Sequence, residues 1–253
     1  MNGPIDMTTD SAWEEWGRRE PYFGVITHPK YRRSHMNEDT KREFFESGGP
    51  HVHYVLTTIQ GCIDKNFAPR KILDFGCGVG RLLLPFAAMA EEVVGLDVSP
   101  SMLQEARRHC EQRGLSNIRL LLSDDGLSTL TDKFDLIHSF IVFQHIPVER
   151  GRVIFSKLLQ HLRPGGVGAI HLTYSKMHYA PTQGAPPRPN QSAPVIARGA
   201  TPIDVDPEIQ MNPYNVNQIL FAMQSSGVSR FHTEFTDHGG ELGVFLFFQT
   251  PVG

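Results

Sequence analysis

A glycine-rich turn between a strand and a helix constrains this chain more than any other feature. The apolar run at residues 71–75 leads into glycines at positions 76, 78 and 80, and the apolar stretch 82–88 reads as the first turns of a helix. Such a turn lets a ligand lie against the backbone and directs free N–H groups at it. Asp74 stands at the mouth of the turn. Its carboxylate repels a pyrophosphate and favours a ligand with an ammonium group, so a dinucleotide is disfavoured.

Further strands follow the turn. Residues 92–97 predict a second strand that ends in Asp97, about one βαβ half-unit after the glycines, where a carboxylate can accept two ribose hydroxyl protons. Ser99 and Pro100 then suit the N-cap and the first position of a helix. Three more strands are predicted at residues 118–122, 134–139 and 167–172.

In the order and spacing of these segments, the chain resembles the class I S-adenosylmethionine-dependent methyltransferases. The matching segments are residues 72–80, 93–100, 121–125, 134–147 and 162–172, roughly the middle half of the chain. The resemblance implies an α/β, Rossmann-like fold with a seven-stranded, mostly parallel sheet in the order 3-2-1-4-5-7-6 and an antiparallel hairpin at its C-terminal edge. Residues 13–25 also resemble the cap of a bacterial small-molecule subgroup.

The resemblance implies S-adenosylmethionine as the cofactor and S-adenosylhomocysteine as the product. It implies that Asp74 reaches the amino group of the methionine part and that Gly76 and Gly78 let the backbone lie against the ligand. Cys77 is predicted to be a small filler of the turn whose backbone faces the cofactor. The carbonyl of Phe140, just past the fourth strand, is implied to accept a hydrogen bond from the ammonium group.

For the rest of the cofactor, acidic residues at strand ends are the main candidates. Asp97, with Val98 beside it, is predicted to bind the ribose. Asp124 is the preferred acceptor for the adenine amine and Asp125 the alternative, because the family usually has one acid there. Met102 either lines the adenine pocket or is a buried helix residue.

Tyr22 and Arg81 each allow two interpretations. Tyr22 either folds over the cofactor and bonds its carboxylate or joins Phe23 in a hydrophobic staple. Arg81 either answers a carboxylate or is a solvated residue in the first helix turn.

Catalytic candidates follow the fourth and fifth strands, at the carboxyl ends where ligands bind in open α/β sheets. His145, in the run Gln144-His145-Ile146-Pro147, is either a general base at its ordinary pKa or a residue that shapes the loop through a backbone carbonyl. Tyr174 and His178 are further candidates, because several His and Tyr side chains meet at one rim.

No metal is expected. His51 and His53 are two residues apart and so point away from each other on a helix. Metal-dependent members of the superfamily place carboxylates after the fourth and fifth strands, where this chain has His138-Ser139 and His171-Leu172.

Composition limits the partners and the cellular location expected for this protein. The net charge of −3 predicts no broad basic surface for nucleic acid. Three scattered cysteines, an odd number, favour a reducing compartment. No apolar run approaches the ~20 residues of a membrane span, and the N-terminus lacks a signal-peptide core. A cytoplasmic protein without membrane or nucleic-acid partners is expected, and nothing in the sequence points to a particular oligomeric state.

The chain is predicted to have two parts, an N-terminal cap or extension at residues 1–69 and a methyltransferase domain at 70–253. A proline-rich insertion at residues 175–212 breaks regular structure and is predicted to be a lid. A helix at 214–225 and strands at 228–235 and 244–248 then complete the sheet.

The predicted function is methyl transfer from S-adenosylmethionine to a small-molecule acceptor, by O- or N-methylation, in a biosynthetic role. Its rate would come mainly from holding the acceptor against the methyl group in a closed, dry site. Two rivals stay open. One is a nicotinamide-dependent oxidoreductase with a similar turn, and the other is a non-catalytic protein that binds S-adenosylmethionine.

Overall fold

In the computed structural model, residues 8–176 and 206–252 are described. Within them, seven strands form one sheet in the order β3-β2-β1-β4-β5-β7-β6. The strands are β1 Lys71–Phe75, β2 Glu92–Asp97, β3 Ile118–Leu122, β4 Phe134–Ser139, β5 Leu162–Lys176, β6 Arg230–Asp237 and β7 Glu241–Gln249. β1 to β5 are parallel, and β7 is antiparallel to both β5 and β6. The predicted fold class and strand order are confirmed.

Eight α-helices surround the sheet in the described residues. They are α1 Thr9–Arg19, α2 Pro21–Val25, α3 Glu38–Glu46, α4 Gly48–Cys62, α5 Leu83–Ala87, α6 Pro100–Gln112, α7 Val148–His161 and α8 Val216–Ser225. None of these helices is long and apolar enough to cross a membrane.

The two faces of the sheet bury different side chains, because successive strand residues point to opposite faces. Leu73 and Phe75 of β1 pack in the core under α7 and α8. Ile72 points to the other face, where α4 and α5 bury Val55 and Phe86. The same alternation places Asp74 on the α4 face, at the carboxyl end of β1.

Four helices precede β1, and three of them form a separate aromatic cluster. Trp16, Tyr22, Phe23, Phe44 and Phe45 are buried there. We call α1 to α3 the cap, since they pack together ahead of the sheet.

Several boundaries differ from the prediction. β5 begins at Leu162, ahead of the predicted start at residue 167, with a register shift against β4. β5 also continues to Lys176, into the predicted insertion, because it pairs with the start of β7. α4 begins at Gly48, directly after Ser47. The rest of the predicted lid lies outside the described residues as far as position 205.

Candidate cofactor and acceptor site

The glycine turn adopts the backbone conformation for which glycine is needed. Gly76, Gly78 and Gly80 have φ of +75°, +53° and +86°, a region that other residues rarely adopt. The N–H groups of Gly76 and Cys77 donate to the Leu96 carbonyl at 2.7 and 3.1 Å, which ties the turn to β2. A Cβ at Gly76 would lie 2.4 Å from Cγ2 of Val142. The turn is therefore fixed in place on the sheet.

Asp97 joins the end of β2 to this turn. Gly78 N–H donates to Asp97 Oδ2 at 2.8 Å, and Ser99 N–H donates to Oδ1 at 2.9 Å. Burial raises the pKa of Asp97 to about 6, although these backbone donors pull it down. A carboxylate offers about four acceptor positions, more than these backbone donors occupy, so acceptor capacity stays open for a hydroxyl donor. Val98, next in the chain, is half-buried.

Asp74 is buried at the end of β1 and has a partner that the sequence reasoning missed. His138 lies beside it in the parallel register of β1 and β4, and His138 Nδ1–H donates to Asp74 Oδ1 at 2.8 Å. His138 is fully buried and Asp74 is 2% exposed. The sequence contained a signal for this pair, because residues two apart on a strand share a face. Asp74 follows Ile72 on one strand, and His138 follows Leu136 in the same way on the neighbouring strand.

A second histidine extends this pair. Nε2 of His51, on α4, lies 3.0 Å from Nε2 of His138. His51 shares a helix stripe with the core residues Val52, Val55 and Ile59, which face the sheet. His53, two residues further along the same helix, points away from the sheet and is exposed. No three histidine, cysteine or carboxylate side chains in the described part of the chain are arranged to hold a metal ion.

Aromatic side chains surround His51, the last of the three connected residues Asp74, His138 and His51. The ring of Phe140 lies 4.3 Å from that of His51, 5.2 Å from that of His171 and 5.4 Å from that of Phe245, measured between centroids. His238, in the turn between β6 and β7, lies 5.8 Å from Phe140 and is exposed. We call these five side chains the histidine–phenylalanine cluster.

His145 differs from the expectation of an ordinary pKa. Burial lowers its pKa to about 4, partly offset by hydrogen bonds to the carbonyls of Gln210 and Ile141. Its Nδ1 lies 2.9 Å from the Gln210 carbonyl, and its ring packs 4.9 Å from that of Trp13. These contacts match the alternative reading, in which His145 shapes the loop.

Both acids after β3 have partners within the protein, and the role expected of one of them at an adenine stays a prediction. Asp124 is exposed, and its carboxylate accepts from the N–H and hydroxyl of Ser128. These bonds lower the pKa of Asp124. Asp125 pairs with Arg150, which also binds Asp10 of α1. The bonds hold the loop and the cap in place.

Tyr22 and Met102 lie in the cap cluster, which also contains Val79 of the glycine turn. The Tyr22 hydroxyl is bonded to Glu105 and lies 2.8 Å from His109 Nε2, so it is already engaged on α6. Burial is the main cause that raises the pKa of Tyr22. Met102 is 2% exposed and packs under the cap. The Tyr22 hydroxyl is thus bonded within the protein, and its expected bond to the carboxylate of the cofactor stays a prediction.

Cys77 fills space as predicted. It is buried, its Sγ would lie 2.9 Å from a Cβ at Gly95 of β2, and burial raises the pKa of its thiol. Burial lowers the pKa of the Arg81 guanidinium, and the nearby Asp74 carboxylate partly offsets this effect, so Arg81 is not a solvated residue. It is half-buried, and its guanidinium donates to the Ser47 carbonyl at 3.4 Å, at the start of α4.

Tyr174 packs with the core on the α7 and α8 face, the side of the sheet opposite to Asp74 and His138. Its ring lies 6.2 Å from that of Phe235 on β6. The structure thus separates Tyr174 from the histidine–phenylalanine cluster. The candidate His178 lies outside the described residues.

The cap lies directly on the glycine turn. A Cβ at Gly78 would lie 2.8 Å from Cγ2 of Val25, the last residue of α2. Glu14 of α1 binds the N-terminus of α6, where it accepts from the Ser99 hydroxyl at 2.7 Å and from the Ser101 N–H at 3.1 Å. A ligand at the turn would therefore lie between the sheet edge and the cap.

Comparison with known proteins agrees with this geometry. Residues 72–166 match the methyltransferase domain family. A ubiquinone biosynthesis O-methyltransferase of Methylocella silvestris is 30% identical over 159 residues, which cover 62% of this chain and 58% of that protein. One of Roseobacter denitrificans is 32% identical over 122 residues, covering 46% and 48%. The chain thus spans about half the length of the curated relatives it matches.

Two solved structures share the fold. Magnesium protoporphyrin IX methyltransferase of Synechocystis PCC 6803, with bound S-adenosylmethionine, aligns over 98% of this chain and 100% of that one with a TM-score of 0.60 at 18% identity. The N-methyltransferase NodS of Bradyrhizobium japonicum WM9, with S-adenosylhomocysteine, aligns over 95% and 99% with a TM-score of 0.57 at 15% identity. At such identities the likeness establishes the fold alone.

Proposed function

We propose that this chain, a class I S-adenosylmethionine-dependent methyltransferase by its domain and its fold, binds S-adenosylmethionine and transfers a methyl group to a small-molecule acceptor. The observation that carries the proposal is the bond from Gly78 N–H to Asp97. It joins a carboxylate with open acceptor positions to a turn whose backbone a ligand can approach.

The residues fit the two polar ends of this cofactor. Asp97 would accept from the ribose hydroxyls, with Val98 beside them. Asp74 gives its Oδ1 to His138, and no hydrogen bond from residues 8–176 or 206–252 reaches its Oδ2. That oxygen and the carbonyl of Phe140 would bind the methionine ammonium, while Gly76 lets the backbone approach the ligand.

Bound S-adenosylmethionine supplies a methyl group on a sulfonium centre, which an acceptor displaces in line. The protein would contribute position and exclusion of water, because the cap lies on the glycine turn through Val25. His145 would hold the loop after β4, fixed by Gln210 and Trp13.

The division into a cap at residues 1–69 and a domain at 70–253, with a lid at 175–212, also belongs to this proposal. We further propose a reducing, cytoplasmic location, supported by Cys62, Cys77 and Cys110, none of which forms a disulfide.

Calorimetry with S-adenosylhomocysteine and with NAD⁺ tests the cofactor. We expect binding of the first and none of the second, since Asp74 opposes a pyrophosphate at the turn. The opposite preference would favour the nicotinamide-dependent oxidoreductase. Release of S-adenosylhomocysteine from S-adenosylmethionine, in the presence of small molecules that co-purify with the protein, tests turnover. Binding without turnover on any co-purified compound would favour the non-catalytic alternative.

A further inference from the structure

We infer that His51 takes the proton of a hydroxyl acceptor during methyl transfer and that His138 and Asp74 hold that proton, with an aromatic hydroxyl compound as the acceptor. This inference rests on the proposed function. It assigns roles to the two histidines that line the α4 face of the site.

The hydrogen-bond directions follow from the first bond. The Asp74 carboxylate accepts only, so His138 must carry its proton on Nδ1, and its Nε2 is left as an acceptor. His51 then donates through Nε2 at 3.0 Å. Its Nδ1 is therefore a lone pair, on the side of the ring away from His138. His51 is half-buried, whereas His138 is fully buried, so the open end of the chain is at His51.

The three groups act together because His51 alone is a weak base. Burial, and then the nearby His138, Arg81 and His171, lower the pKa of His51 to about 2. The ring is neutral at neutral pH and its lone pair is available. When a proton arrives at Nδ1, the proton on His51 Nε2 moves to His138, and the Asp74 carboxylate, 2.8 Å from His138 Nδ1, stabilises the resulting imidazolium.

The step balances in atoms and charge. The acceptor oxygen forms a bond to the methyl carbon, and the electron pair of the carbon–sulfur bond returns to sulfur. The hydroxyl proton passes to His51 Nδ1, and the proton of His51 Nε2 passes to His138 Nε2. A positive charge leaves sulfur as one arrives on His138, so the site gains no net charge. That matters because buried charge is costly.

The aromatic surroundings indicate the kind of acceptor. The His51 ring is stacked on that of Phe245 with 13° between their planes, and Phe140 packs against both. Phe245 is itself buried, so a flat acceptor ring would bind against the half-buried Phe140 and the exposed His238. His171 Nδ1 is buried and has no hydrogen-bond partner among the described residues, so an unfilled polar position lies in the same cluster.

The first test needs no acceptor. ¹⁵N NMR of the histidine rings at pH 7 should find His51 neutral with its proton on Nε2, and should find a proton on Nδ1 of His138. A charged His51, or one protonated on Nδ1, would overturn the relay.

The second test measures methyl transfer to 4-nitrocatechol. His51→Gln should lower kcat by about 10²- to 10⁴-fold and leave the affinity for S-adenosylhomocysteine within threefold of the original. His53→Gln, on the exposed side of the same helix, is the matched control and should change neither. His145→Gln should lower kcat far less than His51→Gln. Equal losses in the His51 and His145 variants would overturn the assignment.

His138 is tested as a positioning residue. In His138→Gln the side-chain amide can still donate to Asp74 and accept from His51, but it cannot hold a proton. We expect kcat to fall about 10²-fold with KM nearly unchanged. A normal kcat would reduce His138 to a structural role. If the wild-type protein binds S-adenosylhomocysteine but does not methylate 4-nitrocatechol, the inference fails and the proposed function stands. If it binds no S-adenosylhomocysteine, the proposed function itself fails.

Discussion

Asp97 is the residue on which cofactor affinity should depend most. Its two carboxylate oxygens hold Gly78 and Ser99 and keep acceptor positions open. Asp97→Ala should weaken binding of S-adenosylhomocysteine by about 1.5–3 kcal/mol, the cost of losing charge-assisted hydrogen bonds. Calorimetry at pH 7.5 measures the change. Asp39→Ala, an exposed carboxylate of α3, is the control and should bind normally. Unchanged affinity in a folded Asp97→Ala variant would rule out the ribose assignment.

The raised pKa of Asp97, about 6, adds a pH dependence to the same prediction. Hydroxyl donors need the ionised carboxylate, and the free protein loses that form as the pH falls through about 6. The affinity for S-adenosylhomocysteine should therefore fall as the pH is lowered from 7 to 5. This part of the decrease should be missing in Asp97→Ala, and a decrease of the same size in both proteins would assign it to another group.

Gly76 should be the least replaceable glycine of the turn for stability. Its φ of +75° is unfavourable for alanine by roughly 1–2 kcal/mol, and a Cβ there meets Val142 at 2.4 Å. Gly76→Ala should therefore lower the free energy of unfolding by about 2 kcal/mol or more, measured by urea denaturation. Gly61→Ala is the matched control, because α4 is exposed there and a Cβ meets nothing within 4 Å. That change should stabilise the protein by about 0.5–1 kcal/mol. Similar losses in both variants would contradict this account of the turn.

At the scale of elements, strand positions were predictable and side-chain partners were not. The positions of β1 to β4 could be predicted from apolar runs and from the alternation of apolar and polar residues, because the pattern within a single strand is enough to identify it. The order of the strands came from the family resemblance. Partners such as Tyr22 and Glu105 are 83 residues apart in the sequence, and Arg150 and Asp10 are 140 apart. No local pattern identifies such pairs, so the partners of Tyr22 and Asp125 could not be predicted from the sequence.

The cap should detach more easily when Glu14 is changed. Glu14 binds Ser99 and Ser101 at the N-terminus of α6, where a negative charge is favourable. Glu14→Gln should weaken this contact by about 1 kcal/mol. Trp13 and Trp16, the two tryptophans of the chain, both lie on α1, so intrinsic fluorescence reports on the cap.

In Glu14→Gln the urea midpoint measured by fluorescence should therefore fall below that measured by far-UV circular dichroism. Glu15→Gln is the matched control. Glu15 pairs with Arg18 and Arg19 on the surface of the same helix, in contacts worth little. In Glu15→Gln the urea midpoints measured by fluorescence and by far-UV circular dichroism should coincide. Coincident midpoints in the Glu14 variant would mean that the cap and the sheet unfold as one unit whatever this contact contributes.

At the scale of the whole molecule, the site lies between two packed bodies. The sheet with its helices supplies the glycine turn, Asp97 and Asp74, and the cap covers the turn through Val25. A cofactor bound there touches both. Its binding free energy should therefore stabilise the cap and the sheet together, because a ligand that binds only the native state raises the stability of everything that forms its site.

Thermal unfolding tests this coupling. S-adenosylhomocysteine at about 100 times its Kd should stabilise the protein by about 2.7 kcal/mol. For a domain of this size, that raises Tm by roughly 5–11 °C. Tryptophan fluorescence and far-UV circular dichroism should shift by the same amount. Asp97→Ala at the same ligand concentration should show a much smaller shift, and NAD⁺ should produce none. A shift in circular dichroism without one in fluorescence would place the ligand on the sheet alone, with the cap left out of the site.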